Sequence, residues 1–210
     1  MDSKAATHGP VAHSRREPKQ ERARQTKRLV LRTAAEAFKE HGYPAVTLQA
    51  VAERASMTKG AVYFHYANKE ALAVAVIMEH YARWEPLVSE VRSRGLPPLE
   101  TLLAVLEGAA EAFRDDVMVQ AGARLQIERS LIKADLPVPY VGWQELLTSL
   151  ITEARDAGQL RADVDPAALA RVVVAAFFGS QHISDVLNGR ADLMQRHGEL
   201  IEAVFRGAMP

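Results

Sequence analysis

A short stretch around residue 60 carries hydroxyl, cationic and very small side chains at the starts and ends of short helices. The residues there that could do chemistry are Thr47, Thr58, Lys59, Gly60, Ala61, Tyr63, His65 and Lys69. Hydroxyl, phenol, imidazole and ammonium groups at helix ends donate hydrogen bonds to phosphate oxygens, and a helix N-terminus itself favours an anion. Glycine and alanine between them let a helix approach a groove closely. The pattern predicts a nucleic-acid-binding surface rather than a reaction centre.

Some of these residues also have an ordinary structural interpretation. Thr47 and Thr58 can act simply as helix caps, and Phe64 is expected to lie in the core. Thr58 and Lys59 are the candidates for contact with base edges, because a lysine can donate to guanine and a threonine methyl can touch thymine.

The net charge is zero, but the charges are unevenly distributed. Residues 1 to 32 hold nine Lys or Arg against three acidic residues, whereas residues 75 to 210 hold 13 against 19. A basic end on an acidic body favours an anionic partner, either nucleic acid or a membrane surface, with a merely solvated tail as the alternative. Residues 1 to 20 lack periodicity and are expected to form a mobile arm. The basic side chains expected to contact the DNA backbone or enter a minor groove are Arg22, Lys27 and Arg28.

The hydrophobic period is helical from about Arg22 to the end of the chain, with no alternation of period two. Two short helices, Leu48 to Arg54 and one that follows Thr58, come after a longer helix and are joined by a tight turn, which is the spacing of a helix-turn-helix unit. A fourth helix after Asn68 is expected to kink near Pro86, since proline removes a backbone hydrogen bond. The predicted fold class is all-α, with about nine helices.

Residues 47 to 72, TLQAVAERASMTKGAVYFHYANKEAL, resemble the DNA-binding domain of the TetR family of repressors. One departure is Ser56, where many members have glycine in the turn. The resemblance implies a helix-turn-helix domain over residues 21 to 68 and a ligand-binding and dimerisation domain over residues 69 to 210, behind the arm of residues 1 to 20. It also implies a repressor that binds a palindromic operator in double-stranded DNA as a homodimer through its last two helices.

The eighth predicted helix supports such a dimer. From Val172 to Phe178 it is apolar nearly all round, so it must be covered on both sides. A second copy of the chain would supply one cover. The alternative is a helix buried wholly inside one subunit.

A ligand pocket needs a few oriented polar groups among apolar walls. The candidates lie on the apolar stripes of the body: Tyr81, Leu106, Gln126, Tyr140 and Trp143. No basic side chain is expected to face this pocket. Each candidate is also compatible with an ordinary core position.

The body further resembles the γ-butyrolactone autoregulator receptors of antibiotic-producing actinobacteria, a TetR subgroup. The resemblance rests on YFHYANKEALA and on Trp143 after a proline-rich loop. It implies a small organic signal of the butyrolactone type or of the alkylated furan type, the latter carrying a carboxylate, and control of antibiotic biosynthesis genes. Tyrosine, glutamine and indole donors could hold a carboxylate, and the choice between the two signal types stays open.

The absence of cysteine excludes disulfides, thiolate zinc sites and cysteine nucleophiles. No GxSxG, HExxH, Walker A or GxGxxG motif is present, so no enzymatic activity, cofactor or metal is expected. The longest uncharged run, Val172 to Ser184, is too short to span a bilayer, and no signal peptide is evident. A cytoplasmic location without a membrane partner is therefore expected. A helical enzyme or carrier that uses the front domain only for docking, and a membrane-surface role for the arm, remain alternatives.

Overall fold

The computed structural model describes residues 16–210. Within them lie ten α-helices, one short 3₁₀ helix and no β-strand, so the predicted all-α class is confirmed. The helices are α1 (Arg16–Ala45), α2 (Leu48–Arg54), α3 (Lys59–His65), α4 (Lys69–Tyr81), α5 (Trp84–Ser93), α6 (Pro98–Asp115), α7 (Val117–Ile127), the 3₁₀ helix (Arg129–Leu131), α8 (Val141–Asp156), α9 (Pro166–Asn188) and α10 (Leu193–Phe205). Of the predicted arm, residues 1–15 lie outside the described residues, and residues 16–20 belong to α1.

The first three helices form the helix-turn-helix unit. Gly42 interrupts α1 with a φ of 75°, a left-handed conformation that glycine adopts without steric penalty. The Thr47 and Thr58 hydroxyls accept hydrogen bonds from the amides of Ala50 at 3.1 Å and Ala61 at 3.2 Å. These two bonds begin α2 and α3 by satisfying free amides of their first turns. The helix caps inferred from the sequence are confirmed.

The turn between α2 and α3 keeps its shape without glycine. Ser56 takes a left-handed φ of 55°, which costs a residue with a Cβ about 1 to 2 kcal/mol. The amide of Met57 donates to the Ala52 carbonyl at 2.9 Å and closes the turn. Serine in place of the family's glycine therefore forms this turn at a cost in backbone strain.

The fourth predicted helix is two helices. α4 ends at Tyr81 and α5 begins at Trp84, with Pro86 in the first turn of α5. Proline cannot donate to the Ala82 carbonyl one turn earlier, so the chain breaks where a kink was expected. At the break, Arg83 bridges the end of α4 to the junction between α6 and α7. Its guanidinium pairs with Glu79 at 2.6 Å and with Asp116 at 2.9 Å.

The buried side chains form two hydrophobic clusters, and α7 contributes to both. Met118, Ala121 and Leu125 of α7 pack into the core of the helix-turn-helix unit and α4. Val119 and Ala123, on the other side of α7, pack into the core of the body. Every residue from Met118 to Gln126 except Arg124 is buried. α7 is thus the helix that lies between the two cores.

The helix α9 is long and apolar enough to cross a membrane by length and composition alone. It packs instead against α8 and α10, with Ala170, Val173 and Phe177 in the body core. Val172, which the sequence analysis placed in a helix covered on both sides, is 54% exposed. The outer face of α9 is therefore open in a single chain.

Candidate nucleic-acid interface and ligand cavity

The helix α3 presents almost its whole surface to solvent, since Val62 is its one buried residue. Lys59 and Tyr63 are exposed and lie one turn apart, with the ammonium 5.4 Å from the ring centroid. Gly60 is exposed, and nothing lies within 4 Å of the place a Cβ would take. Ala61 is half-buried. The first turn of α3 is thus open to a groove.

Phe64 is 81% exposed, so its predicted core position is wrong. Val62 and Tyr66 are the buried residues at this end of α3, and a residue two positions from Val62 lies about 200° away around the helix. The helical period therefore could have located Phe64 on the outer face. Half-buried His65 packs edge-on against Phe64, with ring centroids 5.1 Å apart.

The hydroxyl groups at the starts of α2 and α3 keep a free donor. Because Thr47 and Thr58 accept from backbone amides, each O–H remains available to a phosphate oxygen. Lys69 is more engaged: its ammonium donates to the carbonyls of Tyr43 at 3.0 Å and Pro44 at 3.3 Å. It also lies 4.3 Å from the Tyr43 ring centroid. One of its three N–H groups is left for a phosphate.

The basic side chains of α1 have different surroundings. Arg22 and Lys27 are exposed. Arg28 is exposed too, but it pairs with Glu21 at 3.2 Å and lines a charged groove that also contains Arg83 and Asp116. Arg28 thus borders the body as well as the solvent.

A cavity of about 530 Å³ lies between α4, α7, α8 and α9. That volume suits a small organic molecule. Four of the five predicted pocket residues line it together: Tyr81, Gln126, Tyr140 and Trp143. Leu106 lines a much smaller apolar cavity instead, which shares Trp143 with the main one. Leu106 is therefore next to Trp143 but does not line the main cavity.

Several polar atoms of this cavity lack a protein partner. Gln126 Nε2 donates to the Tyr81 hydroxyl at 2.7 Å, while Gln126 Oε1, Trp143 Nε1 and Gln181 Oε1 are buried and have no hydrogen-bond partner in the part of the chain that is described. Burial raises the pKa of Tyr81, so its phenol stays protonated. Since its oxygen already accepts from Gln126, its hydrogen is free to donate. Buried groups of this kind ordinarily find hydrogen-bond partners, so these three atoms are unusual features of the cavity wall.

His80 forms part of the cavity wall and was missed by the sequence analysis. Its Nδ1 lies 3.1 Å from the Val119 carbonyl of α7. Burial lowers the pKa of His80 to about 4, so the ring is neutral at pH 7. A carbonyl only accepts, so Nδ1 carries the proton and Nε2 is left as an acceptor. Gly122 makes this contact possible, because a Cβ there would lie 2.3 Å from the His80 Cβ.

Basic side chains do reach the cavity, contrary to expectation. Arg171 and His182 of α9 line it, and both are exposed. Each lies at the edge of the buried face of α9, next in sequence to a buried residue, Ala170 or Gln181. The sequence could have placed them there from the period of α9, but the bending of the chain that brings α8 beside them is a tertiary feature.

Comparison with known proteins gives two family matches. Residues 30–76 match the family described as bacterial regulatory proteins, tetR family. Residues 96–210, more than half of the chain, match the family described as tetracyclin repressor-like, C-terminal domain. The chain belongs to the TetR family.

One relative of this TetR-family chain is a receptor protein of Streptomyces. The A-factor receptor protein of Streptomyces griseus is 34% identical over 182 residues, which cover 87% of this chain and 63% of that protein. The chain thus spans a little under two thirds of the length of that relative.

Two solved structures are similar to this TetR-family chain over most of its length. One, described as the molecular basis for control of antibiotic production by bacterial hormones, has a TM-score of 0.82 and 54% identity, covering 89% of this chain and 98% of the other. CprB from Streptomyces coelicolor, in complex with its biological operator sequence, has a TM-score of 0.81 and 30% identity, covering 90% and 91%.

Proposed function

We propose that this chain is a ligand-responsive transcriptional repressor, which binds a palindromic operator as a dimer and is released from it by a small autoregulator signal. The cavity that joins Tyr81, Gln126, Tyr140 and Trp143 carries the proposal. It is large enough for a small organic molecule and contains buried polar atoms without partners. Similarity to the A-factor receptor and to CprB supports both halves of the proposal.

The proposed DNA-binding domain comprises residues 21 to 68. In it the first turn of α3 enters a major groove, with Thr58 and Lys59 near base edges and Gly60 and Ala61 facing the groove. The phosphate contacts come from Thr47, Tyr63, His65 and Lys69, and from Arg22, Lys27 and Arg28 of α1. Exposure of Lys59 and Tyr63 and the free hydroxyl hydrogens at Thr47 and Thr58 support this assignment.

The proposed ligand-binding and dimerisation domain comprises residues 69 to 210. The proposed homodimer forms through α9 and α10, and four exposed apolar side chains of α9 support the part of this interface that α9 forms: Val172, Ile183, Val186 and Leu187. Aliphatic side chains in such a row are costly to leave in water, so a second copy of the same face is a suitable cover. The arm, residues 1 to 20, adds non-specific attraction to DNA.

The proposed signal is an alkylated furan carboxylate or a γ-butyrolactone. The first option follows from the sequence resemblance to the methylenomycin furan receptor, whose signals are alkylated furans with a carboxylate. The Tyr81 hydroxyl and the Trp143 indole offer hydrogen-bond donors to an anionic group, and Arg171 adds positive charge at the cavity edge. The apolar walls around Val174 and Phe178 suit an alkyl chain. Control of antibiotic biosynthesis genes is the corresponding role.

Release from the operator requires that the ligand bind better to a conformation in which the α3 helices of the two subunits are wrongly spaced for adjacent major grooves. We propose α4 as the lever, because it begins at Lys69 beside the helix-turn-helix unit and ends at Tyr81 in the cavity. Membership of the TetR family supports a binding role rather than catalysis, and action in the cytoplasm, where operator DNA is found.

The experiment that tests the proposal is fluorescence anisotropy of a labelled operator. Candidate operators are taken from DNA upstream of the gene that encodes the chain. An A-factor-type γ-butyrolactone and an alkylated furan carboxylate are then titrated into the complex. Saturable, sequence-specific binding that one of the two reverses supports the function. Binding that neither reverses contradicts the ligand-responsive half, and equal affinity for scrambled DNA contradicts the repressor half.

A further inference from the structure

Opposite sides of the helix α7 contact different parts of the chain. Gln126 lines the ligand cavity, whereas Arg124 and Glu128, two positions before and after it, lie on the side that faces the end of α1. Residues two positions apart are about 200° apart around an α-helix, so these contacts occupy opposite sides of one turn. A shift of α7 on the cavity side would therefore move the groups on the other side with it.

Arg124 and Glu128 hold the backbone at the end of α1. Arg124 Nη1 donates to the Lys39 carbonyl at 2.7 Å, and Glu128 Oε2 accepts from the Tyr43 amide at 2.5 Å. The two side chains also pair with each other, Nε to Oε1, at 3.1 Å. These are charge-assisted bonds to a segment that leads directly into α2.

Gly42 provides the space for this arrangement. A Cβ at Gly42 would lie 2.5 Å from Glu128 Oε1 and 2.7 Å from Arg124 Nη2, and the φ of 75° independently disfavours a side chain. Glycine is thus required by the backbone and by the ion pair together.

The helix α4 holds the same segment from its other side. Lys69 donates to the Tyr43 carbonyl at 3.0 Å, and the Tyr43 hydroxyl donates to Glu70 at 2.8 Å. Glu128, the residue that follows the last one of α7, and these two residues on α4 therefore fix Tyr43 through its amide, its carbonyl and its hydroxyl. The helix α4 runs from this segment to Tyr81 in the cavity, whereas α7 reaches the segment and the cavity from opposite sides of its last turn.

We propose that Arg124 and Glu128 are positioning residues that set the orientation of the helix-turn-helix unit relative to the cavity wall. α7 then carries the ligand signal alongside α4. The second statement rests on the proposed function. The first depends only on the contacts at Lys39, Gly42 and Tyr43.

The first test measures that orientation without ligand or DNA. Because the chain has no cysteine, Ala50→Cys on α2 and Glu145→Cys on α8 allow two spin labels at exposed sites. Double electron–electron resonance is recorded on labelled chain diluted in excess unlabelled chain. Glu128→Ala is expected to shift or broaden the distance distribution, and the milder Glu128→Gln to do so less.

The matched control is Glu153→Ala, which removes an ion pair between α5 and α8, 3.1 Å from Arg92, away from α1. It is expected to keep the distribution of the unsubstituted chain. An unchanged distribution in Glu128→Ala overturns the inference, and so does equal broadening in Glu153→Ala.

The second test compares operator affinity with and without the alkylated furan carboxylate or the A-factor-type γ-butyrolactone. Coupled sites usually give ratios of about 5- to 150-fold. Glu128→Ala is expected to bring this ratio towards one while calorimetry shows unchanged ligand affinity of the free protein. A merely structural role would weaken operator binding equally in both conditions, and a retained ratio overturns the inference. If the unsubstituted chain responds to neither probe, the proposed function fails, and the distance measurement still decides the positioning role.

Discussion

Gln126 of α7 donates a hydrogen bond to the hydroxyl of Tyr81 on α4 across 2.7 Å. The two helices that hold the end of α1 therefore also touch each other inside the cavity. A ligand that forms a hydrogen bond with Tyr81 or Gln126 therefore binds at the contact between α4 and α7. The first prediction therefore concerns these two side chains.

Tyr81→Phe and Gln126→Ala are each expected to keep operator binding but to need more ligand for release. Tyr81→Phe removes a donor to the ligand, and a hydrogen bond to a charged group contributes about 1.5 to 3 kcal/mol. Gln126→Ala removes the buried acceptor Oε1 and the side chain that donates to the Tyr81 hydroxyl and holds it in place. Anisotropy titrations of the operator complex with the alkylated furan carboxylate measure the effect. Ser149→Ala, an exposed site on α8, is the control. Release of both variants at the concentration that the unsubstituted chain needs would falsify their role in binding.

Trp143→Ala is expected to abolish the response, because the cavity loses both a wall and an indole donor. Trp143 is buried and its ring lies edge-on to Trp84, with centroids 5.0 Å apart, so truncation also lowers the free energy of unfolding by about 3 to 5 kcal/mol. Trp143→Phe separates these effects, since it keeps most of the wall and removes Nε1. Thermal melts accompany the titrations. Full response of Trp143→Phe contradicts the donor role, and full response of Trp143→Ala contradicts any role.

Lys59→Ala and Tyr63→Ala are each expected to weaken operator binding by about 1 to 3 kcal/mol. Both side chains are exposed on α3, so the melting temperature should not change. The measurement is a mobility-shift titration, with Lys133→Ala as a control that removes a positive charge from an exposed site beyond α7. Affinities equal to that of the unsubstituted chain in both variants would show that α3 is not the recognition helix.

Phe64→Ala is expected to weaken operator binding without lowering stability. A phenylalanine that is 81% exposed buries little surface in the free chain, whereas an apolar side chain on α3 can touch a thymine methyl. Titration against operators with thymine replaced by uracil at successive positions locates the contact. A Phe64→Ala variant that loses thermal stability and keeps operator affinity supports a structural role instead.

The sequence was sufficient for features that depend on local rules. Thr47, Thr58 and Pro86 determine caps and a break through their own backbone chemistry. It was insufficient where separate helices meet: nothing local to His80 indicates that Gly122, more than forty residues later, makes room for it. The same holds for Leu106, whose apolar stripe identifies a core position but not which of two adjoining cavities it lines.

Acid is expected to destabilise the chain partly through His80. Burial lowers the pKa of His80 from 6.5 to about 4, so between these values the unfolded chain binds a proton that the folded chain does not. The free energy of unfolding contributed by this group is fully present above pH 6.5 and is lost as the pH falls towards 4, by about 3 kcal/mol in all.

His80→Gln should therefore flatten the decline in melting temperature between pH 6.5 and 4.5. Differential scanning calorimetry across that range is the measurement. His41→Gln, at an exposed histidine, should keep the slope of the unsubstituted chain. The same slope in His80→Gln would mean that other groups account for the acid sensitivity.

The division of α7 into two faces has a consequence for how such a sensor can diversify. Ala123 and Ile127 border the cavity, while Ala121 and Leu125 pack against the helix-turn-helix unit. Substitutions on the cavity-facing side can change which molecule binds while the geometry of the helix-turn-helix unit is conserved. One helix thus allows chemical selectivity and operator recognition to evolve, or be engineered, along separate sets of positions.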